Sequence, residues 1–337
     1  MAARTERVLE VDPALAQHLR ALWSRAAEAD GVEAVSEAFR LAIGAARDGV
    51  VHLLRYADDG TLVGYAQVAG AGSSDAAAEL VVDPEYRRRG HGRALLDAVL
   101  TAGARSVWAH GLLPAADALA RSAGLEVTRT LHRMTRPLSA EDTADPVLPD
   151  GFSVRSFEPG RDDEAWVRLN AAAFARHPEQ GRLTVGDLRE RMAQPWFDPA
   201  GFLLVEDDST GQVVAFHWTK VDPPPPGAPR LRLSDRGDTP PARRAASDLT
   251  DKVGEAGGSV GSGRGSGEVY VVGVDPAYQG RGLGGPLTRL GLAHLARLGL
   301  GEVELYVDGD NTVARRTYER LGFEDVAVDG QYTRAAT

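Results

Sequence analysis

GEVYVVGVDPAYQGRGLG, residues 267–284, is where the fold can be read. An apolar run, 269–274, is cut by Asp275-Pro276. A glycine-rich turn follows, and then the helical pattern PLTRLGL begins at Pro286. A strand thus feeds directly into a helix whose first amides have no intrahelical partner and carry the positive end of the dipole. Glycine lets such a backbone take positive φ and approach a ligand closely. The arrangement predicts a pyrophosphate cradle at Gln279, Gly280, Arg281, Gly282, Leu283, Gly284 and Gly285, with Arg281 as its fixed charge.

The same pattern occurs once more. Residues 80–92 read LVVDPEYRRRGHG against VGVDPAYQGRGLG at 272–284. A second pair lies downstream, ALARSAGLE (118–126) against RTYERLGFE (316–324). Two matches in the same order imply a duplication. The halves are 1–138 and 151–337, joined by the polar, proline-bearing linker 139–150. Each half reads as a strand and helices, then strands (50–56 and 61–69; 201–206 and 212–221), then the strand before the turn (77–82; 269–274). A helix, a strand (105–109; 302–307), another helix and a closing strand follow. This is a mixed α/β class. At 7–23 a strand passes through Asp12-Pro13 into a helix with Leu15, Leu19, Leu22 and Trp23 on one side. Residues 223–267, rich in Pro, Gly, Ser and charge, read as a flexible insertion, either a linker or a lid.

Composition narrows the function. The chain has 337 residues, enough for two domains, and a formal net charge of -10, which disfavours a nucleic-acid partner. It has no cysteine, so disulfides, thiol nucleophiles and thiolate metal sites are excluded. The eight histidines form no metal-ligand pattern, and no metal is expected; His217 reads as a packed strand residue. Neither a signal peptide nor a membrane span is evident, so a cytoplasmic protein without membrane contact is expected. A dinucleotide-binding fold would place its glycine turn after the first strand with an acidic residue further on. Here the turn is mid-domain, and the spacing R/Q-x-x-G-x-G favours coenzyme A.

The two halves differ where chemistry would sit. Glu268 opens the strand before the cradle. Counted seven residues back from the Asp-Pro, its first-half counterpart is Ala76. Tyr318 lies four residues before Gly322, where the first half has Ala120. The resemblance of these motifs to acetyltransferases implies transfer to an amine, which needs a base for its proton and an acid for the leaving thiolate. Glu268 is expected as base and Tyr318 as acid, with chemistry in the second half alone.

The pattern V-D-P-x-Y-(Q/R)-x-R-G-x-G, then N-x-x-A-x-x-x-Y-x-x-x-G-F at 311–323, resembles the acetyl-CoA-binding core of GNAT acetyltransferases. DGVEAVSE (30–37), HPEQGRLT (177–184), FHWTK (216–220), GEVYVVGVDPAYQGRGLG and LYVDGDN (305–311) more specifically resemble the mycothiol synthase family of tandem GNAT proteins. The resemblance covers nearly the whole chain, and the insertion at 223–267 is its departure. It implies acetyl transfer from acetyl-CoA to the cysteinyl amine of a cysteine–glucosamine–inositol conjugate, giving mycothiol. Backbone contacts to the coenzyme are implied at Val272, Gly273 and Val274, where the strands should splay, and at Leu80, Val81 and Val82. Asn311, Thr312, Val313, Ala314, Arg315 and Arg316 should line its other side. The first half should still bind acetyl-CoA through Arg87, Arg88, Arg89, Gly90, His91, Gly92 and Arg93, without turnover. Glu37, Glu179, Lys220, Glu268 and Tyr306 are implied to bind the acceptor, between the domains. A monomer is expected. Transfer to another small amine or a protein N-terminus, and a non-catalytic acyl-CoA sensor, remain the competing readings.

Overall fold

The computed structural model describes residues 2–175, 178–222 and 265–334. Most of the expected insertion, 223–264, therefore lies outside the described residues, whereas 266 and 267 already belong to a strand. By packing the chain forms two units, Met1–Met134 with Tyr306–Thr337, and Thr135–Leu305.

The chain begins with β1 (Arg4–Val8), α1 (Pro13–Asp30), α2 (Glu37–Leu41), β2 (Val51–Tyr56), β3 (Leu62–Ala69), β4 (Ala77–Val82), α3 (His91–Thr101), β5 (Ser106–Ala109), α4 (Pro114–Ser122) and β6 (Leu125–Pro137). The second unit contributes β7 (Phe152–Ser156), α5 (Asp163–Ala173), α6 (Pro178–Gly181), α7 (Val185–Met192), β8 (Phe202–Asp207), β9 (Gln212–Lys220), β10 (Ser266–Val274), α8 (Gly284–Arg297) and β11 (Glu302–Asp308). Last come α9 (Thr312–Arg320) and β12 (Glu324–Arg334), which pack with the first unit.

Local chemistry sets these boundaries. Asp12 accepts a 2.8 Å bond from the Leu15 amide and Pro13 opens α1; left-handed Gly31 closes it. Leu19, Leu22 and Trp23 are buried by this helix against Tyr65 and Val81 on one face of the sheet. Leu95, Leu96 and Val99 of α3 cover the other face, against Ala78 and Val107. In the second unit Trp166 of α5 meets Phe202, Phe216 and Trp218 edge-on at 5.5–5.6 Å between ring centres. Leu283, Leu287 and Leu290 pack on the opposite face against Val205 and Val214. His217 is fully buried and bonded through Nδ1 to the Leu287 carbonyl at 2.9 Å, a packed strand residue as its sequence context suggests.

The strand order differs from the repeat in one respect. Each half was expected to close with its own strand. In the first unit the order is β1-β2-β3-β4-β5-β12-β6, so the strand beside β5 comes from the end of the chain. Gly330–Thr333 run antiparallel to Ser106–Ala109. Packing units and repeat halves are therefore different partitions of the chain. In the second unit the order is β11-β10-β9-β8-β7, with β10 parallel to β11.

Candidate active site

The two glycine-rich turns have nearly the same backbone. Asp83 and Asp275 each cap a short turn, accepting from the amides of Glu85 and Ala277 at 3.2 and 2.8 Å. Gly90 and Gly282 sit at φ 85° and 79°. Before them Gly280 is left-handed at φ 78°, and its counterpart is Arg88, held at φ 63°. A residue with a Cβ in that region carries strain, here at the mouth of a candidate anion site. The amino ends of α3 and α8 follow at once.

In the first unit the turn opens into a cavity of about 450 Å³. The parallel ladder of β4 with β5 covers only Ala77–Glu79, so Leu80, Val81 and Val82 continue beyond it and line the cavity. Arg87, Arg88, Gly90, Gly92 and Arg93 line it as well, while Arg89 and His91 stand outside its wall. Not all of these cations face a ligand. Arg87 holds Asp30 through two bonds, 2.6 and 2.8 Å, and donates to the Val82 carbonyl. Arg93 bonds Asp97, and Arg89 lies over the Tyr86 ring at 5.2 Å. His91 is buried and accepts from Arg55 at 3.2 Å; burial first, and then the charges of Arg55 and Arg89, push its pKa down. Ala120, the counterpart of Tyr318, lines the inner wall.

In the second unit β9 and β10 set Glu268 opposite Lys220, and the ladder with β11 sets it beside Glu304. Lys220 Nζ lies 3.5 Å from Glu268 and 3.7 Å from Asp222. Its ammonium also lies 5.4 and 5.7 Å from the ring centres of Trp196 and Tyr270, at the edge of the second unit's aromatic cluster. The lysine side chain is only 7% exposed and Glu268 17%, so the carboxylate is the member of the pair that solvent reaches. The ladder with β11 stops at Val269, and Val272, Gly273 and Val274 run on past it, the splay expected there. Gly273 has no room for a side chain: a Cβ would come within 2.6 Å of the Phe216 ring. Gln279 and Arg281 lie close to their own turn, with Arg281 stacked 4.3 Å over the Tyr278 ring. Leu283 is buried, and Gly284 and Gly285 form the first turn of α8.

Between Val269 and Val271 the strand bulges, with Tyr270 as the extra residue. Anchored on the equivalent bonds Asp83 N to Val63 O and Asp275 N to Val214 O, Glu268 corresponds to Ala77, and Lys220 to Ala69. The sequence count of seven gives Ala76 because it cannot see the bulge. The chemical contrast is sharpened: an ion pair in one unit is an alanine pair in the other.

The remaining candidates, Glu179 apart, belong to the first unit by packing. Asn311 caps α9, accepting from Ala314 at 3.1 Å; Thr312 opens the helix, Val313 is exposed, and Arg315 holds Asp325 at 2.7 Å. Arg316 lies on the same helix. Tyr318 is buried against Phe323, and burial pushes its pKa up to about 12, so the phenol keeps its proton near neutrality. Tyr306 is 41% exposed. Glu37 is the first residue of α2. Glu179 lies in α6, and its side chain is outside the described residues.

Sequence reasoning missed a buried polar cluster in the first unit: Glu79, His110 and Asp329. A single carboxylate in the apolar strand AAELVV was a usable signal. The pairing of His110 with Asp329 spans 219 residues and left none.

Among the described residues no cluster of three or more His, Asp or Glu could hold a metal, and no helix is long and apolar enough to cross a membrane. The acetyltransferase (GNAT) family pattern matches residues 166–323, and a GNAT domain pattern matches 50–125. A mycothiol acetyltransferase of Streptomyces coelicolor is 46% identical over 97% of this chain and 94% of its own length. One of Streptomyces griseus is 48% identical over 96% and 92%. Among solved structures, a tandem GNAT protein from the clavulanic acid pathway superposes with a TM-score of 0.64 at 16% identity, over 99% of both chains. A GCN5-related N-acetyltransferase of Sphaerobacter thermophilus gives 0.61 at 22%, over 98% and 94%.

Proposed function

We propose, since the chain belongs to the mycothiol acetyltransferase family of GNAT proteins, that it moves the acetyl group of acetyl-CoA to the cysteinyl amine of a cysteine–glucosamine–inositol conjugate, yielding mycothiol and coenzyme A. The observation that carries the assignment to the second half is the Lys220–Glu268 pair beside a splayed strand, replaced by Ala69 and Ala77 in the other unit. An α-amine with a pKa of roughly 8 is mostly cationic near neutrality, so a base must take its proton. Glu268 is assigned that role, directly or through water. Lys220 balances and orients its charge. The neutral amine then attacks the thioester carbonyl to form the C–N bond; as the tetrahedral intermediate collapses the C–S bond breaks and the nitrogen gives up its extra proton to solvent, from which the Tyr318 phenol is restored. The backbone of Val272–Val274, freed from β11, is assigned to hold the thioester arm, and an amide there would stabilise the oxyanion. Tyr318, a phenol that stays protonated, is assigned to give the departing sulfur its proton. Glu37, Glu179, Lys220 and Tyr306 are assigned to the acceptor's amine and hydroxyls. We take the repeat halves 1–138 and 151–337 as the two domains, the first binding acetyl-CoA without turnover, in a monomeric cytoplasmic enzyme.

Thiol release from acetyl-CoA, corrected for the acceptor's own thiol, tests this. Acceptor-dependent turnover is expected, falling by about 10² or more in Glu268→Gln. Retained turnover in that variant would remove Glu268 from the chemistry. Turnover with other amines but not with this conjugate would remove the acceptor assignment.

A further inference from the structure

The Glu79–His110–Asp329 cluster lies outside the machinery assigned to acetyl transfer, yet it is built with care. Glu79 is buried in β4 at 3% exposure and accepts a 2.8 Å bond from the amide of Ser36. His110 stands 3.5 Å from the same carboxylate and 3.0 Å from Asp329 on β12. Asp329 takes a further 2.8 Å bond from the Gly111 amide. Desolvation lowers the pKa of His110, but the bond to Asp329 and the two nearby carboxylate charges, Asp329 and Glu79, outweigh it and raise it to about 10, so the ring is a cation throughout the neutral range.

The cluster reaches α2 through one contact. Ser36 is the cap residue of α2, and Glu37 is its first helical residue. Ser36 makes no side-chain capping bond; its carbonyl accepts from the Arg40 amide at 3.0 Å, and its own amide is held from outside the helix by Glu79. The segment leading to it is tied elsewhere too. Arg87 clamps Asp30 at the end of α1, and Val32 sits so close to Gly111 that a Cβ there would come within 2.8 Å of it. Glu33 and Ala34 of this segment, with His110, line the first unit's cavity.

We propose that the buried Glu79–His110–Asp329 cluster is a positioning device for the acceptor: it holds the Ser36 amide and thereby aims the Glu37 carboxylate. This rests on the assignment of Glu37 to the acceptor. It gives Glu79 and His110, buried groups of the first repeat half, a task in the reaction. A cation held between two carboxylates fixes Glu79, and Glu79 fixes the helix start that presents Glu37.

Steady-state kinetics of the full chain, with each substrate varied, tests it. Glu79→Ala is expected to raise the acceptor KM about tenfold, an effect equivalent to ~1.4 kcal/mol. The acetyl-CoA KM should stay within about twofold. Glu79→Gln, which keeps an oxygen for the Ser36 amide, should recover most of the loss. If Glu79→Ala does not fold, Ser36→Pro removes the same bond from the donor side, at a residue whose φ of -67° proline can adopt. In a Glu37→Gln background either change should add little further acceptor KM, because both act through one carboxylate. Additive effects, or equal losses in both KM values and kcat, would overturn the proposal by leaving only a structural role. An unchanged acceptor KM in Glu37→Gln alone would instead overturn the assignment of Glu37, and the positioning role with it.

Discussion

Acidification weakens the second unit through His217, and the size of the effect follows from its burial. The ring has no exposure, and Nδ1 lies 2.9 Å from a carbonyl, which only accepts. Nδ1 therefore carries the proton, and neutral His217 has a bare Nε2, buried without a hydrogen-bond partner. Protonating Nε2 would bury an uncompensated charge. Desolvation accordingly lowers the pKa from 6.5 to about 4, with the Leu287 bond opposing it and His294 adding to it. Because the folded pKa lies below the unfolded one, the stabilisation is complete above pH 6.5 and is lost as pH falls towards 4. Two and a half pKa units at ~1.36 kcal/mol each give about 3 kcal/mol in full, of which roughly 2.5 is gone by pH 4.5. Trp166, Trp196 and Trp218 all lie in the second unit's aromatic cluster, so urea unfolding followed by tryptophan fluorescence reports on it. His217→Leu removes the titration, so its stability relative to wild type should improve by about 2.5 kcal/mol between pH 7.5 and 4.5. Parallel pH dependence in the two proteins, or an NMR titration midpoint for His217 near 6.5, would refute the account.

Further tests address the same unit and its neighbour. Gly291→Ala would drive a methyl group into His217 Nε2, and should lower stability by about 2 kcal/mol or more in the same urea experiment, more than Gly→Ala costs elsewhere in α8. Lys220→Met removes the cation 3.5 Å from Glu268. It should destabilise by about 2 kcal/mol at neutral pH, and Glu268→Gln in the same chain should restore part of that loss. His110 has the opposite sign to His217: its folded pKa is raised, so its contribution is complete below pH 6.5 and is lost as pH rises through about 10. His110→Leu should therefore cost the first unit most near neutral and mildly acidic pH and little at the alkaline end, as read by hydrogen exchange of α2 and β5.

What the sequence revealed and what it hid divide along a physical line. The glycine-rich turns at 87–93 and 279–285, the helix start at Asp12-Pro13, and the strands before each turn are local. Their geometry is written in a few adjacent residues whose backbone requirements glycine, proline and aspartate announce. Glu268 was visible for the same reason, by its distance from the turn. Its partner Lys220 is an adjacent-strand neighbour but lies far away in the chain, and no local pattern says which residue will stand opposite. The bulge at Tyr270 is also silent in sequence. One inserted residue moved the first-half counterpart from Ala76 to Ala77, and only the ladder of bonds reveals it. The largest departure, β12 beside β5, depends on which sheet edge accepts the last strand, a competition between edges of similar hydrophobic pattern.

That last pairing bears on what a glycine-rich turn does in the first unit, where Ala69 and Ala77 stand in place of the ion pair. The chain that forms α9, with Asn311 and Tyr318, leads directly into β12, and β12 carries Asp329 into the cluster that holds His110 and Glu79. Tyr332 of the same strand is buried and lines the first unit's cavity. A duplication whose halves closed on themselves could shed one cavity without affecting the residues proposed for chemistry. With the final strand pairing to β5, that cavity, the α2 start and the helix bearing Tyr318 share one packed unit. Disturbing the first cavity would then disturb groups proposed for the second, which ties the glycines at 90 and 92 to the proposed reaction even though Ala77 and Ala120 stand where the proposed base and acid would be.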